Sequence, residues 1–329
     1  MRHGGWTWLG MLVAALGLVG GLAGAPAARA ETLRVLLDGS WSPHHAPFFL
    51  ATERGYFAQA RIEALIEPSL GGNTVAVMVG QRAFDLGQAP ASTAAAAIGR
   101  GSPIRVVAVY QPRNALAVVG IAGKVALDAP KSLVGLRLGV TPGGPDSMAL
   151  GIFRRANNLG LSALLVMPTE PTAKLPGLTG GRLDAVVGNA PVLSAGLRAE
   201  GLEPRVLMLG EYGVPLMGLG LVAAQSELTA KADLLRRGLE AIRRGFAAAA
   251  AAPKEACAVM QRQVSMTETE EQCTVLLAAF LATTMPADEK GWGRQSPEDW
   301  IKMIEAMRAA GEIQGTRPAS FYYSNAVLP

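Results

Sequence analysis

From Leu33 onward, short continuous apolar runs alternate with longer segments whose apolar residues recur every three or four positions, the pattern of strands feeding helices. Leu33-Arg34-Val35-Leu36-Leu37, ending at Asp38-Gly39, reads as a buried parallel strand. Ser40-Trp41-Ser42-Pro43 reads as a turn, and Pro47 opens a helix with Phe48, Phe49, Ala51 and Tyr56 on its apolar face, reaching Gln59-Ala60. Residues 62–66 are the next strand, and the Gly-rich loop 68–74 leads into a helix at 75–82. Residues 84–87, 90–99 and 104–110 continue as strand, helix and strand.

Gln111-Pro112-Arg113-Asn114 breaks this pattern, and the extended run 115–121 is predicted to carry the chain into a second unit. That unit repeats the same idiom, with strands at 136–140, 164–167, 184–188 and 205–209 and helices at 148–158, 173–180 and 191–200. The apolar run 218–224 returns the chain. Beyond it the pattern is helical: Ser226 is expected to cap a helix over 228–252, Pro253 starts another, Thr267 starts one reaching Thr283, and Pro297 starts the last, ending at Gly311. The expected fold is therefore α/β in two lobes, 31–114 with 222–329 and 115–221. Each is a mainly parallel sheet flanked by helices, with two crossover strands at the hinge. Parallel sheets collect their strand-to-helix loops at one edge, where ligands bind.

Asp38, Pro43, His45-Ala46-Pro47-Phe48-Phe49, Ala51, Glu53-Arg54-Gly55-Tyr56-Phe57 and Gly71-Gly72 together resemble the opening of periplasmic solute-binding proteins of ATP-binding-cassette (ABC) importers. The group is the one for nitrate, sulfonate, taurine and thiamine-pyrimidine precursors, and Phe321-Tyr322-Tyr323-Ser324-Asn325 resembles its ending. The resemblance implies the type II periplasmic-binding-protein fold, a small-molecule ligand, an inner-membrane permease as partner, a monomer, and neither catalytic group nor cofactor. It also implies an enzymatic alternative, a pyrimidine-precursor synthase on the same fold that consumes its own His and a lysine-bound pyridoxal phosphate. The Cys-rich iron-binding run of that enzyme is absent here. A ligand-sensing partner of a membrane receptor is the third reading. No Gly-x-Ser-x-Gly elbow supports a hydrolase.

The first residues change where the protein is expected to work. After Arg2 no Asp, Glu, Lys or Arg occurs until Arg29, and the apolar span ends in Ala28-Arg29-Ala30, a small-residue exit of the A-x-A kind. Cleavage after Ala30 and release into the periplasm is the expectation, with an uncleaved membrane anchor as the alternative. Losing Arg2 and Arg29 from 30 basic residues, against 26 acidic ones, lowers the net charge from +4 to about +2, which is no nucleic-acid signature. The only two cysteines, Cys257 and Cys273, would meet an oxidising compartment; they read as a disulfide between consecutive helices or as two buried thiols.

Candidate ligand contacts are the polar, aromatic and glycine residues of the facing loops. On the first lobe these are Asp38, Trp41, His45, Gly72, Asn73, Thr74, Gln88, Ser92 and Tyr110; on the second, Gly144, Asp146, Ser147, Asn189, Glu211 and Tyr212. Glycine admits a ligand close to the backbone, and unpaired N–H groups at helix starts present partial positive charge. Trp41 and Tyr110 offer flat faces for stacking, with core packing as the alternative for Tyr110. His44 and His45 are the only histidines beyond the leader, and with no third ligand spaced around them a zinc site is not expected. These loops hold no Lys or Arg apart from nearby Arg113, which argues against a heavily charged anion. Asp38, Asp146 and Glu211 suit a ligand's amino groups. The expected solute is a small aromatic or heterocyclic compound, neutral or singly charged, with pyrimidine precursors ahead of sulfonates, nitrate and aromatic acids.

Overall fold

The computed structural model describes residues 29–287 and 291–329, so the leader expected in the first thirty residues lies almost wholly outside the described residues. Ten strands form two five-stranded sheets: β1 Glu31–Leu37, β2 Ile62–Pro68, β3 Leu86–Pro90, β4 Ile104–Val109, β5 Leu116–Ile121, β6 Arg137–Val140, β7 Leu165–Pro168, β8 Ala185–Asn189, β9 Pro204–Met208 and β10 Leu219–Ala224. The strand orders are β2-β1-β3-β10-β4 and β7-β6-β8-β5-β9. In each sheet three neighbours run parallel, and the strand that has crossed from the other half inserts antiparallel. Both sheets are thus mixed, and β10 and β5 are the two crossings. Leu33, Val35, Leu36 and Leu37 are all buried because helices cover both faces of the first sheet.

The helices are α1 Ala46–Glu53, α2 Tyr56–Gln59, α3 Gly72–Gly80, α4 Ala91–Gly99, α5 Pro145–Ala156, α6 Lys174–Thr179, α7 Ala190–Ala199, α8 Glu227–Ala230, α9 Ala232–Ala251, α10 Pro253–Gln263, α11 Glu270–Leu281 and α12 Pro297–Ala309. None of the described helices is long and apolar enough to cross a membrane. Among the boundaries that differ from expectation, three have a clear local cause. The helix that begins near Pro47 breaks at Gly55, whose φ of 68° is left-handed and separates α1 from α2. Ser226 does not cap, because its own φ and ψ of −64° and −31° are helical; the chain breaks instead at Lys231, whose ammonium reaches Asp85 at 2.6 Å and Glu227 at 3.2 Å. α11 starts at Thr269 rather than Thr267, since Thr269 and Gln272 form a reciprocal capping box.

The two halves also repeat a local device. The Asp85 carboxylate accepts from the backbone N–H of Arg34 at 2.8 Å, and the Asp184 carboxylate accepts from that of Arg137 at the same distance. Each ties the central parallel strand, at its middle in β1 and at its start in β6, to the entry of the neighbouring strand. The passage from those neighbours into the next helix reads Gly87-Gln88-Ala89-Pro90 at the end of β3 and Gly188-Asn189-Ala190-Pro191 from the end of β8 into the following helix.

Packing decides which helices stand near the strand ends. α9 buries Leu235, Leu239, Ile242, Gly245 and Phe246 against α1 and the first sheet. At Gly245 a Cβ would lie 2.3 Å from the Pro47 carbonyl oxygen, so the two helices touch through backbone there. A disulfide joins Cys257 of α10 to Cys273 of α11, sixteen positions apart, and both cysteines are fully buried. α11 in turn packs on the turn at Pro43–His45 and, across the halves, on α7. One apolar cluster runs through both halves, carrying Phe153, Leu209, Val214, Leu216, Met217, Trp300 and Met303. Replacing both cysteines by alanine is expected to lower the unfolding free energy by about 3 kcal/mol, measured by denaturant titration; a loss under about 1 kcal/mol would show that α11 is held without the bond.

Candidate functional site

Because β1, β2 and β3 are parallel, they all end at one edge of the first sheet, and the residues just past those ends are brought together. Asp38 follows β1 directly. Pro43 then initiates a tight 3-10 turn over Pro43–His45, which folds both histidines back over Asp38. His44 Nε2 lies 3.4 Å and His45 Nε2 3.6 Å from the same oxygen, Asp38 Oδ1. His44 Nδ1 shares a 3.0 Å hydrogen bond with Ser42 Oγ, and the two imidazole rings are 4.0 Å apart between centroids. Trp41 stands edge-on to His45 and to Phe49, and Phe280 of α11 lies 5.5 Å from the His44 ring.

The environment makes the two rings unlike. His44 is partly exposed, whereas His45 is completely buried, and neither His45 nitrogen has a hydrogen-bond partner among the described residues. Burial, reinforced by the neighbouring His44, pushes the His45 pKa down to about 4, so the ring is neutral at pH 7. Burial is also the largest single influence on Asp38 and opposes its ionisation, but the two histidines outweigh it and hold the carboxyl below its usual range. Asp38 is therefore an anion beside a neutral imidazole.

Gln88, at the end of β3, is fully buried and donates through Nε2 to the Tyr110 hydroxyl at 2.6 Å, leaving its Oε1 unpartnered. Reversing the amide assignment would leave the nitrogen unpartnered instead, so one polar atom stays open either way. Ser92 Oγ, in the first turn of α4, is buried and unpartnered as well. A buried polar group without a partner costs about 1–3 kcal/mol, so His45, Gln88 and Ser92, left in this state beside strand ends, are the candidates here to meet a polar partner. Tyr110 reaches this group only through its hydroxyl. Its ring is stacked on Trp292, with planes 5° apart, and packed on Phe246, and burial followed by the charge of Asp38 raises its pKa.

The remaining predicted residues divide. Gly72 begins α3 behind Gly71, whose φ of 121° only glycine adopts readily, and its Cα sits close against Pro90 and Thr93. Asn73 is exposed and Thr74 half-buried. In the second lobe Gly144 precedes α5 and accepts from the Ser147 hydroxyl at 2.9 Å, so Ser147 is spent within its own turn. Asn189 Oδ1 caps α7 by accepting from the Val192 N–H at 3.2 Å. Asp146 is buried and paired with Lys174, whose ammonium also donates to the Val187 carbonyl at 2.8 Å. Glu211 is exposed, and Tyr212 is turned away onto Phe153 and the Asp128 carbonyl.

Four residues that were not singled out as ligand contacts also stand here. Lys174 is a buried cation near the ends of β6 and β8, which revises the inference that no cation approaches these loops; its distance in sequence from Asp146 concealed it. Thr141, directly after β6, keeps a buried, unpartnered hydroxyl, and its place after a strand was a usable signal. His44 and Phe280 become part of the group only through the turn at Pro43 and the seating of α11. A surface depression of about 590 Å³ lined by Glu31, Thr32, Lys231 and Asp233 lies at the opposite end of β1, and the buried unpartnered atoms favour the strand-end site over it.

A model of the family described as NMT1/THI5 like matches residues 42–256. The riboflavin-binding protein RibY of Chloroflexus aurantiacus is 24% identical over 323 residues, covering 93% of this chain and 89% of that protein. A 4-amino-5-hydroxymethyl-2-methylpyrimidine phosphate synthase of Uromyces fabae is 29% identical over 110 residues, 33% of this chain and 32% of that protein. The periplasmic aliphatic sulphonate binding protein SsuA of Escherichia coli superposes with a TM-score of 0.71 at 15% identity, covering 89% of this chain and 92% of SsuA.

The buried neutral histidine gives a pH dependence. With a folded pKa near 4 against 6.5 in the unfolded chain, the unfolded state binds the extra proton between those values. Its contribution is full above pH 6.5 and is lost as pH falls toward 4, a change of roughly 3 kcal/mol. Denaturant titrations across that range should show a falling stability that His45→Gln flattens; an unchanged slope in the variant would place the ring's charge elsewhere.

Proposed function

The chain belongs to the NMT1/THI5-like family, and from that premise and the geometry at the strand ends we propose that it is the exported, periplasmic solute-binding component of an ABC importer. Its fold is that of the importers' substrate-binding proteins, as the likeness to SsuA shows. The observation that carries the reading is the trio of buried, unpartnered polar groups of His45, Gln88 and Ser92 at the sheet edge where the Asp38 carboxylate also stands. The second lobe would close over them with Thr141 and the start of α5, and the membrane permease would receive the solute when the lobes part.

The same groups favour a class of solute. A neutral imidazole, an amide and a hydroxyl each exchange hydrogen bonds with an uncharged partner, and an adjacent carboxylate disfavours an anion. A small nitrogen heterocycle bearing amino or hydroxyl groups fits best, with pyrimidine precursors first. Flavins are the nearest alternative, given the ligand for which RibY is named. Alkanesulfonates, for which SsuA is named, fit the charge of Asp38 less well. The Uromyces fabae synthase motivates a second reading, an enzyme of pyrimidine-precursor formation, although its similarity spans only a third of this chain.

Thermal-shift measurements against aminopyrimidines, riboflavin, alkanesulfonates and nitrate test the proposal, because a ligand bound only to the folded state raises the melting temperature. The expected result is a saturable rise with a heterocycle, without turnover, and an affinity about tenfold weaker in Trp41→Ala. A response to sulfonates alone would overturn the solute class, and accumulation of a pyrimidine product would replace the importer with the enzyme.

A further inference from the structure

The spacing around Asp38 is loose for a hydrogen-bonded cluster, the one hydrogen bond within it being that between His44 Nε2 and Asp38 Oδ1 at 3.4 Å. At 3.4 and 3.6 Å, the contacts from His44 Nε2 and His45 Nε2 to Asp38 Oδ1 are too long for well-formed hydrogen bonds to a carboxylate, although all three side chains are held in place. They match another arrangement. Two donors bound about 2.1 Å from a shared tetrahedral metal stand about 3.4 Å apart. One donor atom from each of Asp38, His44 and His45 lies within 4.8 Å of the other two.

A second observation points the same way. His45 is entirely buried, both of its ring nitrogens lack a partner, and Nε2 faces the carboxylate. The hydrogen bond between His44 Nδ1 and Ser42 Oγ fixes the other imidazole with Nε2 toward Asp38, the kind of outer support that orients metal-bound histidines. Trp41, Phe49 and Phe280 wall the group with apolar rings. We infer that Asp38, His44 and His45 form a site for one divalent transition-metal ion of the zinc class, bound by two imidazoles and a carboxylate, whose open position takes a lone pair from the solute.

This inference rests on the solute-binding reading and changes its chemistry: with the ion in place Asp38 and His45 hold the metal, and Gln88 and Ser92 are left to meet the solute directly. Without the ion, Asp38 makes the site attractive to donors; with it, the local charge is inverted and the site selects a ring nitrogen or an oxygen as fourth ligand. Adjacent histidines looked unsuited to one metal because spacing alone supplied no third ligand. Asp38, directly after β1 and five residues before the turn that carries both imidazoles, supplies it.

The test is a competition titration of the purified chain, stripped with EDTA and dialysed, against Zn²⁺ held by a chromophoric chelator. The expected result is one Zn²⁺ per chain with a Kd of about 1 µM or tighter. Asp38→Asn and His44→Gln should each weaken it by about 100-fold or more, and Ser42→Ala by roughly tenfold. Circular dichroism confirms that each variant is folded, and Ser42→Ala, which removes only an outer hydroxyl, keeps the test decisive if a ligand variant is not. Absence of saturable binding, or wild-type affinity in folded His44→Gln, overturns the metal site. The heterocycle titration with and without Zn²⁺ separates the two readings. A thermal shift that EDTA abolishes supports both. A shift indifferent to EDTA removes the metal from solute capture and leaves the importer standing, whereas Zn²⁺ binding without any heterocycle response removes the solute class and leaves the metal.

Discussion

Parallel pairing of β1 with both β2 and β3 is the constraint on which the site depends, because it sends three strand ends to the same edge of one sheet. Asp38, the loop before α3 and Gln88 are neighbours for that reason alone, although fifty positions separate the first from the last. An antiparallel sheet would have scattered them over two edges. Once Asp38 stands at that edge, the turn begun by Pro43 determines the rest. It places one imidazole where water reaches it and the other where water does not, and this difference makes His45 a neutral ring beside an anion.

The second half copies the first down to its hydrogen bonds. Asp184 grips the Arg137 N–H as Asp85 grips that of Arg34, and a glycine, an amide residue, alanine and proline follow one another at the strand-to-helix passage after β3 and after β8 alike. The copies have diverged in what the amide does. Gln88 is turned inward to the Tyr110 hydroxyl, while Asn189 is used to cap a helix. The first half thus keeps its polar atoms open and the second satisfies most of its own, Thr141 excepted. α11 links the two physically, since it carries Phe280 to the His44 ring, rests on α7 and is fastened to α10 by the disulfide.

Much of this fold was readable in the residues. Leu33 to Leu37 could only be a strand covered on both faces, and the apolar crossing runs revealed two halves entered and left in turn. The paired Gly-Gln-Ala-Pro and Gly-Asn-Ala-Pro segments were equally visible and would have disclosed the duplication. The site was less legible because its key distances come from tertiary contacts. Tyr110 looked like a stacking platform beside a strand end, but Trp292, 182 positions away, takes its face. Asp146 looked free to greet a ligand, but Lys174 reaches it from a separate helix. Tyr212 had the right address and the wrong direction, since its ring packs back onto Phe153. Helix breaks at Gly55 and Lys231 were hidden by good flanking helix formers, one set by a left-handed φ and the other by a lysine drawn to Asp85.

A two-lobed clamp makes a demand that a one-sided pocket does not: a single small molecule must restrain both halves at once. Amide hydrogen exchange with and without the heterocycle that raises the melting temperature most addresses this directly. Slowed exchange in residues 38–45 together with 141–147 is the predicted outcome. Protection confined to the first of these segments, with the second unchanged, would contradict closure of the lobes around the solute.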